Sequence, residues 1–239
     1  MIEVRELTMR YPDGTLALDH VSYTVQPGEV FCLLGANGAG KTTTVNLLLD
    51  FITPTEGCAL INGFDCNQQP LEAKKHVSYV SENVQLYGAF TARQNLTFFS
   101  ELAGKKGLTT HDYDDALRTV GLPERAMRVR VRNYSKGMRQ KLGIAVAMVK
   151  DAAAVVMDEP TSGLDPQSAR EFLELLQKMR DGGKAVLMTT HDIFRAKLIA
   201  DRVAIMKQGR VVAVRQRSEF VHQDLEEIYL SHMYATDLQ

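Results

Sequence analysis

The chain has 239 residues, of which 45% are hydrophobic and 24% are charged, and its formal net charge is -1 at pH 7. A chain of this length and composition is typical of an ordinary globular protein that can bury a large core. The near-neutral charge gives no reason to expect a general nucleic-acid binder, so we expect no direct nucleic-acid partner.

The N-terminal part of the chain has the pattern of short strands and turns. Residues 2–9 indicate one strand, and the alternating apolar side chains of 21–25 indicate a second. Tyr11-Pro12-Asp13-Gly14 between them is typical of a turn. We expect an antiparallel β subdomain here, ahead of the main core.

A glycine-rich loop then joins a strand to a helix. The apolar run 30–34 predicts a strand buried on both faces, and 43–51 carries apolar residues at helical spacing. Between them, Gly35-Ala36-Asn37-Gly38-Ala39-Gly40-Lys41-Thr42 matches the G-x-x-x-x-G-K-[ST] pattern. Its glycines let successive backbone N–H groups face one anion, and the helix N-terminus behind them adds a positive dipole end.

This loop predicts a nucleoside triphosphate site. Lys41 would reach the β- and γ-phosphates, and the Thr42 hydroxyl would ligate Mg²⁺. The candidate ATP-binding residues of this segment are Gly35, Asn37, Gly38, Ala39, Gly40, Lys41, Thr42 and Thr43.

The middle of the chain changes character. Residues 59–61 and 77–80 indicate short strands, whereas the pattern from about 83 to 150 is mostly helical. We interpret this stretch as a helical subdomain inserted into an α/β core.

Strands and helices then alternate again, which predicts a mainly parallel sheet wrapped by helices. A helix with one apolar face ends at Gly182-Gly183, and Gln208-Gly209 is typical of a hairpin turn. The predicted strands are 152–157, 185–190, 203–206 and 211–214, and the predicted later helices are 193–200 and 224–233. We expect a single domain over 1–239 with a C-terminal helical tail at 215–239.

Two carboxylates stand at the end of the apolar strand that precedes Pro160. Asp158 would lie beside the phosphate loop and hold Mg²⁺ through its waters. Glu159 would orient and deprotonate the attacking water. Such a pair is often only a solvated strand end, but Pro160-Thr161-Ser162-Gly163-Leu164-Asp165 directly after it favours the functional interpretation.

At this point the chain resembles a known family. Asn133-Tyr134-Ser135-Lys136-Gly137-Met138-Arg139-Gln140 resembles the signature motif of the ABC ATPases, which combine it with the Asp-Glu-Pro-Thr-Ser-Gly-Leu-Asp stretch found here from Asp158 to Asp165. The resemblance covers essentially the whole chain and implies a P-loop NTPase core. It also implies that Ser135 and Gly137 act in trans, on ATP held by a second subunit.

The signature departs from its commonest form, Leu-Ser-Gly-Gly-Gln, at Tyr134, Lys136 and Met138. A Tyr-Ser-Lys-Gly-Met form resembles the ABC-2-type exporter branch, whose ATPase subunits work with separate permease subunits. We expect the signature helix to begin near Met138.

Three further residues take roles that the resemblance implies. His191 is similar to the switch histidine that contacts the γ-phosphate, and Tyr11 is similar to the aromatic residue that stacks on adenine. Asp165 matches the loop that links two subunits, and it could equally cap the helix that opens at Pro166. A packing role is the alternative for Tyr11.

Glu82 stands where the family usually has a glutamine that contacts Mg²⁺ and links to the permease. A carboxylate can still ligate Mg²⁺. The alternatives are that Gln85 takes the role, or that Glu82 is a solvated loop acid. By resemblance, the segment 86–99 would line the groove that receives the permease, and helical-subdomain core is the alternative for it.

The resemblance implies an ATP-hydrolysing transporter subunit, in which two copies, identical or different, sandwich two MgATP and drive integral membrane permease subunits. The alternative is a soluble ABC ATPase that acts on nucleic acid or the ribosome. A subunit that binds ATP without hydrolysing it is a third possibility, but Glu159 and His191 are both present.

The remaining features predict the compartment. Three cysteines without C-x-x-C spacing indicate neither a disulfide framework nor a zinc site. The charged N-terminus is not typical of a signal peptide, and the longest apolar stretch is far shorter than the roughly 20 residues of a membrane helix. We expect a cytoplasmic protein held at the membrane through permease partners.

Overall fold

The computed structural model describes residues 1–221 and 224–234. Its strands are β1 (Ile2–Arg10), β2 (Leu16–Val25), β3 (Glu29–Leu34), β4 (Glu56–Ile61), β5 (Phe64–Asp65), β6 (Val77–Val80), β7 (Ala154–Asp158), β8 (Ala185–Thr190), β9 (Arg202–Lys207) and β10 (Arg210–Gln216). Its α-helices are α1 (Lys41–Leu48), α2 (Pro70–Lys75), α3 (Ala92–Leu102), α4 (Thr110–Thr119), α5 (Glu124–Met127), α6 (Lys136–Lys150), α7 (Pro166–Asp181), α8 (Ile193–Ile199), α9 (Arg217–Phe220) and α10 (Leu225–Tyr234). A short 3-10 helix covers Val131–Asn133.

Two sheets form the framework. The larger has the strand order β10-β9-β3-β8-β7-β6, and all its pairs are parallel except the β9–β10 hairpin. The smaller is antiparallel, with the order β2-β1-β4-β5. The predicted α/β core with a mainly parallel sheet and an N-terminal antiparallel subdomain is therefore confirmed.

The strand β3 lies inside the larger sheet, between β9 and β8, and all six of its residues are buried. Successive strand residues face opposite sides, and β3 contributes to two separate apolar clusters. Cys32 belongs to the cluster that includes apolar residues of α6, α7 and α8, whereas Phe31 and Leu33 belong to the cluster that includes those of the small sheet and α1. A continuous apolar run is what a strand covered on both faces requires.

The predicted helical stretch contains α3 to α6, between β6 and β7. Two of these helices begin with capping boxes, at Thr91 with Gln94 and at Thr109 with Asp112. Each box satisfies backbone N–H groups that the first helical turn leaves without acceptors. The boundaries of the subdomain at about 83–150 and of the single domain at 1–239 stay predictions.

Some element boundaries differ from the sequence-based predictions. The helix α1 begins at Lys41 rather than at 43, because Gly40 takes a left-handed conformation (φ 107°) that ends the loop. The helix α6 begins at Lys136 rather than near Met138, because the Ser135 hydroxyl caps it by accepting the Met138 N–H. Within the predicted tail, residues 222, 223 and 235–239 lie outside the described residues.

Candidate functional site

The candidate site lies where the parallel strands end. β3, β7 and β8 are neighbours in register, so their carboxyl ends and the loops that follow meet at one sheet edge. Ligands bind at this edge in open α/β sheets. A cavity of about 570 Å³ opens there, which is within the range of small-molecule sites. Its lining includes Asn37, Gly38, Gly40, Lys41, Thr42, Thr43, Glu82, Asp158 and Glu159.

The glycines of the phosphate loop are required by close backbone approach. A Cβ atom added to Gly35 would lie 2.5 Å from the Met206 carbonyl oxygen, and one added to Gly40 would lie 2.6 Å from that of Ala17. Gly38 has a positive φ of 80° in open space. The loop is therefore wrapped tightly between β9 and β2, and it presents the first turn of α1 to the cavity.

Two predicted loop residues do not line this cavity. The Gly35 N–H donates to the Thr190 carbonyl at 3.2 Å, and the Ala39 N–H donates to the Ala36 carbonyl at 3.2 Å. The Ala39 side chain is buried. Both residues shape the loop in this structure through their backbone contacts.

Lys41 and Glu159 line the cavity, and His191 contacts Glu159 without lining the cavity itself. The buried Lys41 ammonium donates to the carbonyls of Gly35 at 2.7 Å and Ala36 at 3.1 Å. Glu159 Oε1 lies 3.5 Å from Lys41 Nζ and 3.0 Å from His191 Nδ1. Both nitrogens lie within ion-pair distance of this buried oxygen, and neither makes a well-directed hydrogen bond to it.

The backbone at Glu159 is unusual. Its φ is 45°, which is left-handed, and its N–H donates to both the carbonyl and the hydroxyl of Thr189, at 3.2 and 3.1 Å. Non-glycine residues in this region are uncommon, and they persist where surrounding contacts hold them. The neighbouring strand β8 therefore fixes where the carboxylate is presented.

Asp158 and Thr42 form an all-oxygen pair at the cavity wall. The Thr42 hydroxyl donates to Asp158 Oδ2 at 3.2 Å, and the Thr189 hydroxyl donates to Asp158 Oδ1. Within the described residues no group of three or more His, Cys, Asp or Glu side chains suggests a metal site by itself. One carboxylate and a hydroxyl nevertheless fit Mg²⁺, which prefers oxygen ligands and keeps waters and substrate phosphates as the others.

Glu82 reaches the same cavity, whereas Gln85 does not line it. Gln85 is exposed, and its amide donates to the Asn83 carbonyl at 3.2 Å. The Glu82 carboxylate lies 3.7 Å from Lys136 Nζ, and its backbone carbonyl accepts from the Gln140 side chain at 2.8 Å. Of the two candidates for the Mg²⁺ contact, Glu82 and Gln85, Glu82 is the one that lines the cavity together with Thr42 and Asp158.

Tyr11 lies beside the phosphate loop without lining the cavity. Its hydroxyl is 3.4 Å from the Thr43 hydroxyl, and its half-buried ring packs against the core cluster of the small sheet. These contacts fit the packing alternative, and stacking on adenine stays a prediction.

The signature residues lie at the start of α6, outside the cavity lining. The Ser135 hydroxyl caps α6, and an added Cβ on Gly137 would lie 3.0 Å from the Ser168 hydroxyl. Asp165 caps α7 by accepting from the Ser168 N–H at 3.0 Å. The hydrogen bonds from the Ser168 side chain and backbone lower the pKa of Asp165, so its carboxylate stays ionised.

Several residues of the site were not predicted. Thr189 holds both Asp158 and Glu159, and Arg195 donates to the Thr161 carbonyl in the loop after Glu159. The sequence did carry one signal for Thr189, because it is a polar residue at the end of a predicted buried strand. Residues that also line the cavity are Thr15, Leu16, Ala17 and Gln208, which belong to turns and strand ends far away in sequence.

The segment 86–99 carries an aromatic cluster. The ring of Tyr87 lies 5.2 Å from that of Phe90 and 4.7 Å from that of Phe98, and Phe98 contacts Phe99 at 5.3 Å. Tyr87 is 48% exposed, and the three phenylalanines are half-buried.

In residues 1–221 and 224–234, no helix has the length and apolar character needed to cross a bilayer.

Comparisons with known proteins agree with this site. The sequence profile described as "ABC transporter" matches residues 18–162. YhcH of Bacillus subtilis, an ABC transporter ATP-binding protein, is 35% identical over 90% of this chain and 70% of its own length. Nod factor export ATP-binding protein I of Burkholderia lata is 35% identical over 89% of this chain and 69% of its own length.

A solved structure is also similar. The dimeric post-hydrolysis state of the ATP-binding cassette MJ0796, bound to ADP and Pi, superposes with a TM-score of 0.81 at 25% identity. The match covers 91% of this chain and 99% of that one. A fold of this kind therefore holds the products of ATP hydrolysis in a dimer.

Proposed function

The chain belongs to the ABC transporter family as an ATP-binding, ATP-hydrolysing subunit, and we propose that two such subunits close on ATP to drive export through separate permeases. One observation carries the assignment of the site: Lys41, Glu159 and His191 converge at the phosphate loop, and Glu159 Oε1 is buried without a hydrogen bond. Relatives that are transporter subunits lend no support to the alternative of a soluble ATPase acting on nucleic acid or the ribosome.

The phosphate loop would bind the triphosphate. Backbone N–H groups from Asn37 to Thr43 and the N-terminus of α1 would face the phosphates. Lys41 would exchange the carbonyls of Gly35 and Ala36 for the β- and γ-phosphates, which makes its buried ammonium available where negative charge concentrates. Tyr11 would contact the adenine end.

Hydrolysis breaks the bond between the γ-phosphorus and the bridging oxygen of ADP as a water attacks in line. The Glu159 carboxylate would accept the proton of that water as a general base. His191, 3.0 Å from Oε1, would orient the carboxylate and contact the γ-phosphate. Thr189 would hold Glu159 in place by accepting hydrogen bonds from the Glu159 backbone N–H.

Mg²⁺, when bound, would neutralise charge on the β- and γ-phosphates. The residues that would hold it are Thr42 and Asp158, with Glu82 at the rim of the same cavity. The two carboxylates and the hydroxyl supply only part of the ligands Mg²⁺ needs, and phosphate oxygens and waters would complete the set.

A second subunit would complete the site. Ser135 and Gly137 do not line the cavity of their own subunit, so we propose that they contact ATP bound to the partner, with Asp165 linking the two sites. ATP would favour the closed dimer because it contacts both subunits only in that state. Closure and reopening would then move the attached permeases.

The helical subdomain, at about 83–150, would carry the permease contact. The loop of Glu82 connects the nucleotide cavity to a neighbouring cavity of about 430 Å³, whose lining includes Leu86. The aromatic cluster of Tyr87, Phe90, Phe98 and Phe99 begins at the residue after Leu86. A permease seated there would hold the subunit at the cytoplasmic face of the membrane. The Tyr-Ser-Lys-Gly-Met signature and the name of the Nod factor relative favour export as the direction.

The experiment that tests this function replaces the proposed base by Glu159→Gln. We expect ATP hydrolysis to fall at least about 100-fold, which is the lower range of what a general base contributes, while MgATP binding remains. Phosphate release and nucleotide binding are measured on the same preparation. Turnover like that of the wild type would refute the role of Glu159.

The same variant tests the partner. Tagged Glu159→Gln protein with MgATP is cross-linked in its native cells, and the captured proteins are identified by mass spectrometry. A protein with several membrane spans is the expected partner. Ribosomal proteins or nucleic-acid repair factors, with nothing from the membrane fraction, would contradict the transporter function and favour the alternative.

A further inference from the structure

We propose that Lys136 is a positioning residue for Glu82, and that its ammonium competes with Mg²⁺ at the Thr42–Asp158 site for the Glu82 carboxylate. This exchange would couple the first turn of α6 to the occupancy of the nucleotide cavity within one subunit. The inference rests on the proposed function, because it requires MgATP to bind at the phosphate loop.

The first support is a set of contacts that meet at the N-terminus of α6. Lys136 Nζ lies 3.7 Å from Glu82 Oε1. On its other side, an added Cβ on Gly163 would lie only 3.1 Å from the same nitrogen. The lysine side chain therefore lies between the loop after β6 and the loop that precedes α7. Lys136 is thus placed to respond to both loops.

The second support is how the Glu82 loop is held. The Gln140 side chain of α6 donates to the carbonyls of Ser81 at 3.3 Å and Glu82 at 2.8 Å. These bonds fix the backbone of Glu82 against α6 and leave its carboxylate to rotate. The carboxylate can then change partners without moving the loop.

The third support is that Glu82 borders two cavities. It lines the nucleotide cavity together with Thr42 and Asp158, and it lines the neighbouring cavity together with Lys136. The Glu82 carboxylate on this boundary has the Lys136 ammonium on one side. On the other side it has Thr42 and Asp158, whose oxygens would hold Mg²⁺. Because the two partners lie in different cavities, a carboxylate turned toward one is turned away from the other, so binding of one weakens binding of the other.

Charge and exposure make the exchange feasible. Lys136 and Glu82 carry opposite charges. Their side chains are 37% and 44% exposed, so water screens the pair and it is weak. A weak pair can be broken by a divalent cation, whereas a buried one would resist exchange.

The test measures how Mg²⁺ supports nucleotide binding, in a Glu159→Gln background that prevents turnover. Binding of a fluorescent ATP analogue is followed at increasing Mg²⁺ concentration, and the midpoint is compared among variants. Lys136→Met should lower the Mg²⁺ midpoint about two- to fivefold, the range expected for loss of a partly exposed ion pair. Lys136→Arg, which keeps the cation, should restore the original midpoint.

Two controls separate positioning from a general effect. Lys141→Met removes the same charge from α6, but Lys141 contacts Glu171 and the Gly121 carbonyl instead of Glu82, so its midpoint should not change. In a Glu82→Gln background, Lys136→Met should have no effect, because the carboxylate that the two cations share is gone.

The outcomes distinguish this inference from the proposed function. An unchanged midpoint in Lys136→Met, or the same shift with and without Glu82, would overturn the role of Lys136 while MgATP binding stands. Absence of nucleotide binding in the parent protein at every Mg²⁺ concentration would overturn the proposed function, and the role of Lys136 with it.

Discussion

At the scale of single residues, the site depends on backbone conformations that few side chains tolerate. Glu159 has a positive φ of 45°, and both hydrogen bonds of its N–H go to Thr189. Such strain costs about 1 kcal/mol or more and is retained where the surrounding contacts over-determine it. We infer that the strain aims the carboxylate at Lys41 and His191 instead of along the strand direction.

The phosphate loop allows a prediction that separates space from strain. Gly40→Ala places a methyl group 2.6 Å from the Ala17 carbonyl at a φ of 107°, whereas Gly38→Ala meets no atom within 4 Å at a φ of 80°. We expect Gly40→Ala to weaken nucleotide binding at least tenfold. Gly38→Ala should only lower the free energy of unfolding by ~1–2 kcal/mol, which is the cost of an alanine in the left-handed conformation. Calorimetric titration and thermal unfolding measure both effects. Equal losses in the two variants would show that the contact with β2 is unimportant.

At the scale of elements, α6 connects the parts of the site. Ser135 caps it, and its first turn carries Lys136 and Gly137. Gln140 in its second turn holds the Glu82 loop, and the helix packs against α3, α4 and α7. Tyr134, one of the residues at which the signature differs from its commonest form, takes part in this packing. Its ring is buried, its hydroxyl donates to the Ala126 carbonyl at 2.7 Å, and burial raises the pKa of Tyr134 to about 12.

This contact predicts the effect of Tyr134→Phe. Removing the hydroxyl leaves the Ala126 carbonyl without its partner, so the free energy of unfolding should fall by about 1–2 kcal/mol. Tyr87→Phe is the matched control, because Tyr87 is 48% exposed and its variant should stay within about 0.5 kcal/mol of the wild type. Urea unfolding compares the two. A similar loss in both would mean that the Ala126 contact does not contribute.

At the scale of the whole molecule, the proposed function implies that one subunit holds only part of the site. The parallel order of β3, β8 and β7 brings the phosphate loop, Asp158, Glu159 and His191 to one edge, while the signature residues Ser135 and Gly137 lie outside the cavity. An isolated subunit should therefore be a poor catalyst, and the rate should depend on how often two subunits meet.

That arrangement predicts ATP-dependent dimers. Glu159→Gln with MgATP should run as a dimer in light scattering, because a nucleotide that contacts both subunits and is not hydrolysed would keep them together. The same protein with MgADP should remain monomeric and serves as the control. For the wild type, the ATPase rate per subunit should rise with protein concentration. A rate independent of concentration, with no dimer in ATP, would contradict action of the signature in trans.

The local features of the protein can be predicted from its amino-acid sequence. The strand β3, the phosphate loop, the carboxylates at the end of β7 and the turn between β9 and β10 follow from apolar runs and glycine positions, which act over a few residues. Contacts between distant side chains, such as Thr189 with Asp158, Tyr11 with Thr43, and Lys136 with Glu82, become visible in the folded chain alone. Those pairs depend on strand order and on the packing of α6 against the core, which are set by the sum of many non-local contacts. Neighbouring residues in the sequence carry no signal for that sum.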